Sequence, residues 1–403
     1  MKQIAIMGYG VVGSGVAEVF AKNHESIVKK AGEELEIKYI LERRDCTGDP
    51  NEAKIVRDFE QIVNDPAVSV VVEVMGGLHP AYDFVKACLE QGKSVVTSNK
   101  ELVAQAGAEL LELARAKNVN FFFEASVGGG IPIIRPLHSC LAANEITEIA
   151  GILNGTTNFI LTKMAHEGAG FDETLRLAQQ LGYAERDPTA DIEGLDACRK
   201  ICILASLAFG RHVYPDQVAV QGITGISRED VSLAAFAGYA VKLIGRVKKL
   251  ESGRVMIAVS PALIEHESQL ASINDVFNGI LVRGDATGDV VFYGKGAGKL
   301  PTASAVVADV IDAVKAAGTV GSLYWTDQGR EGYVEDPAKD ETAFFLRLGG
   351  VSQEKALALF PGSRVLSASP EETALLTPVL EKGRVEELLQ GIPTLSNICV
   401  LDY

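Results

Sequence analysis

Two stretches of the 403-residue chain carry side chains and spacings suited to chemistry. The first is Gly8-Tyr9-Gly10-Val11-Val12-Gly13, a G-x-G-x-x-G run between the apolar KQIAIM and the periodic VVGSGVAEVFAKN. In a strand–turn–helix setting the first glycine permits the tight turn, the second lets a pyrophosphate approach the backbone, and the third lets the helix pack closely. The helix N-terminus adds amide donors and a positive dipole. The second stretch is YAERDPTADIEGLDACRK, ending at Lys200, where Glu185, Asp187, Asp191, Glu193 and Asp196 fall within twelve residues. Asp196 and Lys200 stand four apart and share one helical face. Two readings of this cluster stand side by side. It is a solvated acidic loop with a surface ion pair of ~0.3–0.5 kcal/mol and Asp191 and Glu193 answering the helix dipole, or a set of carboxylates turned inward around a ligand.

Further groups converge on the same chemistry. The strand pattern IKYILE ends at Glu42-Arg43-Arg44. A carboxylate there holds a ribose 2′-OH and favours NAD, whereas an adjacent arginine accepts a 2′-phosphate and favours NADP. Both are present, so the choice stays open, and the arginines also suit a plain charged turn. Thr97-Ser98-Asn99-Lys100 follows the strand SVV, which places it at the carboxyl end of the sheet, where ligands gather. Lys100 is there either a solvated lysine or a group beside a nicotinamide.

The elements that must position these groups are legible in outline. Through about residue 125, short apolar runs (KQIAIM, IKYILE, VSVVVEVM, KSVVT, VNFFFEAS) alternate with helical periods, the mark of βαβ units on a parallel sheet. The fold class is α/β: a Rossmann-type doubly wound sheet, a second, α+β domain, and a small C-terminal module. The pattern divides into a dinucleotide-binding domain over 1–130, a second domain over 131–298 followed by a long helix over 299–325, and a module over 340–403, with 330–342 as a linker. Helical stretches fall at 137–143, 156–166, 172–181 and 195–209, among strands such as EITEIAGIL, RVMIAVSPAL and GDVVFYG. The glycines of EASVGGGIPII suit a hinge between domains.

Composition narrows the function. Thirty-eight basic against 53 acidic side chains leave a net charge of −15, a field that repels nucleic acid and anionic lipid. No apolar run approaches the ~20 residues of a membrane span. Six cysteines, at 46, 88, 140, 198, 202 and 399, form no CxxC or zinc-type cluster. Reduced, packed thiols and the absence of a leader pattern point to a cytoplasmic protein.

With GYGVVGSG, TSNK, EASVGGGIPII, NGTTNFIL, LGYAERDPTADIEGLDACRK and GKGAGKLPTASAVVADV in order, the sequence resembles homoserine dehydrogenases over about residues 3–325. The resemblance implies an oxidoreductase that reversibly reduces L-aspartate 4-semialdehyde to L-homoserine with NADPH or NADH, in the pathway to threonine and methionine. It implies Lys200 as the proton donor and acceptor at the substrate oxygen, Asp196 as its partner, and Lys100 as a second active-site lysine. Glu185 and Asp191 match acids that bind or position the substrate, with the backbone at Gly182. Gly8, Gly10, Val11, Val12, Gly13, Arg43, Thr97, Ser98, Lys100 and Gly298 match the cofactor-binding set. Gly298 places the helix over 299–325 back on the dinucleotide-binding domain, which leaves 131–298 as the α+β substrate, catalytic and dimerisation domain. Glu124 and the main-chain carbonyls of Val127, Gly129 and Ile131 match a monovalent cation site, Na⁺ or K⁺. A homodimer or homotetramer is expected.

The chemistry agrees with this resemblance. Hydride transfer to an aldehyde needs a proton at the developing alkoxide, and an ammonium both stabilises that charge and donates the proton. Neighbouring lysines lower each other's pKa, whereas Asp196 draws that of Lys200 upward. The α-ammonium of an amino-acid substrate calls for a carboxylate, which Glu185 supplies.

The C-terminal module departs from the ACT pattern found in longer members of that family. AFFLRLGG and TLSNICVLDY suit its first and last strands, but VSQEKALALFPGS replaces the usual D-x-P-G-V turn. It reads as a degenerate ACT-like module, serving either regulation or oligomer contact. Three rivals remain: another Rossmann dehydrogenase acting on an amino or hydroxy acid, a nucleotide-sensing regulator without Lys200 chemistry, and aspartate-semialdehyde dehydrogenase. The last needs an activated cysteine, whereas Cys140, Cys198 and Cys202 sit in apolar helical patterns.

Overall fold

The structure, a computed structural model, describes residues 1–319, 321 and 323–403. The chain forms two compact units. The first comprises Met1–Asn144, Cys202–Pro215 and Gly294–Gly329, and the second Glu145–Ile201, Asp216–Tyr293 and Arg330–Tyr403. Among the described residues no helix is long and apolar enough to cross a membrane.

The first unit opens with β1 (Lys2–Met7), α1 (Val11–Lys22), α2 (His24–Ala31), β2 (Leu35–Leu41), β3 (Ile55–Val56) and α3 (Glu60–Val63). It continues with β4 (Val68–Glu73), α4 (Ala81–Glu90), β5 (Ser94–Thr97), α5 (Lys100–Ala116) and β6 (Phe121–Phe122). All six strands run parallel in the order β3-β2-β1-β4-β5-β6. The order reverses direction between β1 and β4, where Met7 is level with Glu73 at the carboxyl ends. That switch point is where doubly wound sheets bind ligands. The β-branched run VSVVVE of β4 is buried along almost its whole length, as a central parallel strand must be.

A helix from far along the chain, Lys299–Lys315, completes this unit. Its Ala303, Val306, Val307 and Val310 share a core with Ile4, Ile6, Val16 and Val72. A Cβ on Gly15 would lie 2.8 Å from the Lys299 carbonyl oxygen and 3.2 Å from Ala303 Cβ, so α1 meets this helix almost backbone to backbone. The sequence reading extends the helix over 299–325, but it ends at Lys315, and residues 320 and 322 of that span lie outside the described residues. β6 is likewise shorter than VNFFFEAS suggests, because the chain leaves the sheet at Phe123 to make a turn at Glu124–Ser126.

The second unit contains β7 (Ile146–Ile152), α6 (Gly155–Glu167), α7 (Phe171–Gln180), α8 (Thr189–Ile192) and the start of α9 (Leu195–Phe209). β8 (Ala219–Val220), α10 (Arg228–Ala237), β9 (Tyr239–Lys249), β10 (Val255–Glu265), β11 (Phe277–Gly284) and β12 (Gly288–Lys295) follow. The helix Lys299–Lys315 is α11, and the C-terminal part holds β13 (Glu341–Gly349), α12 (Gln353–Leu359), β14 (Arg364–Ala368), β15 (Glu372–Leu376), β16 (Leu380–Glu381), α13 (Lys382–Leu388) and β17 (Thr394–Leu401). One mixed sheet runs β12-β11-β7-β9-β10-β17-β13-β15-β14. A Cβ on Gly245 of β9 would lie 3.0 Å from Leu153 and 3.4 Å from Ile201, so the sheet closes tightly under the start of α9.

The C-terminal segment is a β-α-β-β-α-β unit whose four main strands lie in the order last, first, third, second. It does not stand apart as its sequence suggests. β17 pairs in parallel with β10 from Ala262–Cys399 to Ile264–Leu401, which hides an edge that would otherwise offer unpaired amides. The stretch 330–342 is also more than a linker: Tyr333 is buried, and Val255 exchanges backbone hydrogen bonds with Tyr333 and Glu335 at 3.0 and 2.9 Å.

Candidate active site

The corner between β7 and α6 organises the acidic cluster. Asn154 caps α6, its Oδ1 accepting the Thr157 N–H at 2.9 Å. Its Nδ2 donates to Asp191 Oδ1 at 2.7 Å and to Asp196 Oδ2 at 3.0 Å. Asp196 Oδ2 also accepts from Lys200 Nζ at 2.8 Å, and Lys200 Nζ donates to the Leu153 carbonyl at 2.7 Å. Asp196 and Lys200 are both buried. The surface-pair reading of these two residues therefore fails: the pair faces inward, and the residue next to Asn154 supplies a carbonyl to its ammonium. Asp191 joins the same network from α8, half-buried.

The rest of the acidic run divides. Thr156 Oγ1 donates to the Tyr183 carbonyl at 2.7 Å, tying the α6 start to the loop after α7. That loop leaves α7 through Gly182, whose φ of +75° suits glycine. Glu185 is exposed, with its backbone carbonyl accepting from Gln179 Nε2 at 3.2 Å, and it lies outside the Asn154 network. Asp187 is exposed and accepts from Thr189 N and Oγ1 at 3.2 and 2.6 Å, a local turn that holds its carboxyl below the usual range. Glu193 is half-buried, not fully solvated.

In the first unit the glycine loop has the geometry a dinucleotide requires. Gly8 has φ +98°, and a Cβ on Gly13 would lie 2.0 Å from the Gly8 carbonyl oxygen, so neither position admits a side chain. A Cβ on Gly10 would meet nothing within 4 Å; the protein itself does not demand glycine there, and the open space above it borders a cavity of about 650 Å³. No side chain caps α1, which leaves the amides of Val11, Val12 and Gly13 aimed out of its first turn. These residues fit a bound pyrophosphate.

At the far side of that cavity Glu42 is engaged by four donors. Oε1 accepts the N–H groups of Arg43 and Arg44 at 2.8 and 3.0 Å, and Oε2 accepts Tyr9 N–H at 3.3 Å and Arg44 Nη2 at 2.8 Å. The Arg44 hydrogen bond, with help from the two backbone amides, holds the Glu42 carboxyl down at about 2. Arg44 also donates to the Tyr9 carbonyl at 2.7 Å. Arg43 is exposed at the cavity, and Arg57 donates to its carbonyl at 3.0 Å.

Sequence reasoning passed over Glu73, the last residue of β4 and fully buried. Its Oε1 accepts Met75 N–H at 2.8 Å, beside the cavity, and its Oε2 accepts Thr97 Oγ1–H at 2.5 Å. Thr97 Oγ1 in turn accepts Asn99 N–H at 2.9 Å, and Asn99 caps α5, which begins with Lys100. Burial pushes the Glu73 carboxyl up. The Thr97 hydroxyl is thus engaged inside the protein, while Ser98 is half-buried. The only sequence signal for Glu73 was a carboxylate closing an otherwise apolar strand.

Glu124 is also buried, and its carboxylate accepts the N–H groups of Ile133, Ile134 and Arg135 at 2.6, 2.8 and 2.9 Å. Its side chain therefore caps the turn that follows. The intervening glycines are fixed by packing: a Cβ on Gly128 would lie 2.4 Å from the Ile131 carbonyl oxygen, and one on Gly129 2.3 Å from that of Gly296. Val127 and Ile131 are buried. Among the described residues no three His, Cys, Asp or Glu side chains converge as metal ligands. Gly298 precedes α11 with φ +133°.

Comparison with known proteins follows these features along the chain. The family model for homoserine dehydrogenase matches residues 132–311, and that for the homoserine dehydrogenase NAD binding domain matches residues 8–124. A homoserine dehydrogenase of Synechocystis sp. is 46% identical over 321 residues, 77% of this chain and 73% of that protein. The crystal structure of a homoserine dehydrogenase from Thiobacillus denitrificans covers 100% of this chain and 98% of its own, at 35% identity and a TM-score of 0.92. A hyperthermophilic archaeal homoserine dehydrogenase in complex with NADPH covers 78% of this chain and 98% of its own, at 31% identity and a TM-score of 0.65. The chain belongs to the homoserine dehydrogenase family.

Proposed function

We propose that this enzyme reversibly reduces L-aspartate 4-semialdehyde to L-homoserine, with Lys200 as the group that exchanges a proton with the substrate oxygen. The observation that carries this reading is the buried Asp196–Lys200 pair, with the Lys200 ammonium oriented by both Asp196 Oδ2 and the Leu153 carbonyl. When bound, a nicotinamide supplies or accepts the hydride. Lys200 gives its proton to the oxygen that becomes an alkoxide, and takes it back in the reverse direction. Asp196 favours the charged ammonium and fixes its direction.

The remaining roles follow the same reading. Glu185, with the backbone at Gly182, receives the substrate α-ammonium, and Asp191 supports that site. Lys100 is the second active-site lysine. Gly8, Gly10, Val11, Val12, Gly13, Thr97, Ser98 and Gly298 form the cofactor site, with Thr97 acting through Glu73. Glu124 and the main-chain carbonyls of Val127, Gly129 and Ile131 hold Na⁺ or K⁺, a reading supported by the close packing that fixes Gly128 and Gly129 of this loop. The first unit corresponds to the dinucleotide domain and the second to the catalytic domain.

Cofactor choice is directed toward NADP. A carboxylate has about four lone-pair sites, and four donors already occupy those of Glu42, so a ribose hydroxyl finds no vacant acceptor. Arg43, exposed beside the same cavity, is suited to a 2′-phosphate. The β-α-β-β-α-β order of the C-terminal segment supports an ACT-like module fused to the main sheet. On the same reading the enzyme works in the cytoplasm, where its six cysteines stay free, and assembles as a homodimer or homotetramer.

The test is oxidation of NADPH and NADH by the purified full chain with L-aspartate 4-semialdehyde. Turnover faster with NADPH is expected; no turnover with either cofactor contradicts the assignment.

A further inference from the structure

We propose that Asn154 is a positioning residue that holds Asp191 and Asp196 in one fixed arrangement around Lys200. The inference rests on the proton-transfer reading above. Asn154 is 5% exposed, and its side chain uses every hydrogen-bonding capacity an amide has. The two N–H groups go to Asp191 Oδ1 and Asp196 Oδ2 at 2.7 and 3.0 Å. The carbonyl oxygen accepts from Thr157 N and Oγ1 at 2.9 and 3.1 Å. Two carboxylates brought toward one point repel each other, and a neutral double donor between them removes that cost without adding a charge that would compete with Lys200.

The backbone reinforces this arrangement. Leu153, immediately before Asn154, gives its carbonyl to Lys200 Nζ at 2.7 Å. The turn between β7 and α6 therefore touches both members of the ion pair, one through a carbonyl and the other through a side chain. Asn154 is also extended, at φ −133° and ψ 121°, as an N-cap must be, so the same backbone geometry that starts α6 aims the amide at the two acids.

The competing account is that Asn154 merely caps α6. Asn154→Ser separates the two, because serine caps a helix about as well as asparagine but cannot supply two N–H donors. The expected result is a melting temperature lowered by the two donors the acids lose, an unchanged KM for NADPH, and kcat lowered on the order of 10- to 100-fold, the scale of a displaced reacting group. Combined with Asp196→Asn, the serine variant is expected to cost little beyond Asp196→Asn alone, since coupled residues are not additive. A kcat within about twofold of wild type, or losses that multiply in the double variant, overturns the proposal. Should the serine variant not fold, Asn154→Thr keeps a neutral cap acceptor without the two N–H donors; a kcat loss of the same order supports the proposal, and a wild-type kcat overturns it. Lys200→Ala distinguishes the two levels. Full activity there defeats the proton-transfer reading itself, whereas an inactive Lys200→Ala beside a fully active Asn154→Ser defeats only the role of Asn154.

Discussion

Asp196 Oδ2 accepts a 2.8 Å hydrogen bond from Lys200 Nζ one helical turn away, with side chains 4% and 9% exposed. The same spacing on a solvated helix is worth at most ~0.5 kcal/mol. Removing one partner of a buried pair leaves the other charge uncompensated and costs about 3–5 kcal/mol. Asp196→Ala is therefore expected to lower the unfolding free energy in urea by about 3 kcal/mol. A loss below about 1 kcal/mol would mean that the pair is solvated in the working protein.

Arg43→Ala tests the cofactor reading. The expected outcome is a KM for NADPH raised by on the order of tenfold or more with that for NADH little changed, since only NADPH carries the 2′-phosphate. Equal effects on both cofactors would remove Arg43 from the discriminating role.

Thr97→Val tests the chain of contacts from Glu73 to α5. The substitution keeps the shape but deprives Glu73 Oε2 of its donor and the Asn99 N–H of its acceptor. A buried unsatisfied group costs about 1–3 kcal/mol, so a lower melting temperature is expected together with a higher KM for NADPH. A variant that melts and binds like wild type would show that the loop beside the cavity is set elsewhere.

Asp309 gives a pH-dependent prediction. It accepts the Glu124 N–H at 2.8 Å and bonds the Arg135 guanidinium, which also reaches Asp312 at 2.8 Å. Burial, opposed by Arg135 and aided by the nearby Glu124, pushes the Asp309 carboxyl up from 3.8 to about 7. Its folded value lies above its unfolded one, so the stability it contributes is complete below about pH 4 and is lost as pH rises through about 7. Relative to Asp309→Asn, the wild-type melting temperature is expected to fall between pH 5 and pH 8. A difference independent of pH would contradict this.

Much of the first unit was legible because each strand of its parallel sheet is a short apolar run between glycine turns and periodic helices. β9 was harder to see. Its buried Lys242, satisfied by the Ile273 carbonyl at 2.6 Å and Asn158 at 3.2 Å, interrupts the apolar pattern with a charge that the fold neutralises from elsewhere. The site shows the same limit. Spacing alone puts Asp196 and Lys200 on one face, but what turns them inward, Leu153 and Asn154, lies 47 and 42 residues upstream of its respective partner. Glu124 is comparable: its type suits a cation, yet its carboxylate is taken by amides nine to eleven residues later. Local pattern reports which groups are available, and tertiary hydrogen bonds decide which of them are already engaged.

The central claim is that Lys200 exchanges the proton at the substrate oxygen. Its most direct test is kcat for NADPH oxidation by L-aspartate 4-semialdehyde in wild type and Lys200→Ala, each confirmed folded by its melting curve. General acid–base groups contribute about 10²–10⁴-fold, so a kcat lower by at least about 100-fold with a near-normal KM for NADPH is the predicted result. A folded Lys200→Ala enzyme that retains wild-type kcat would contradict it.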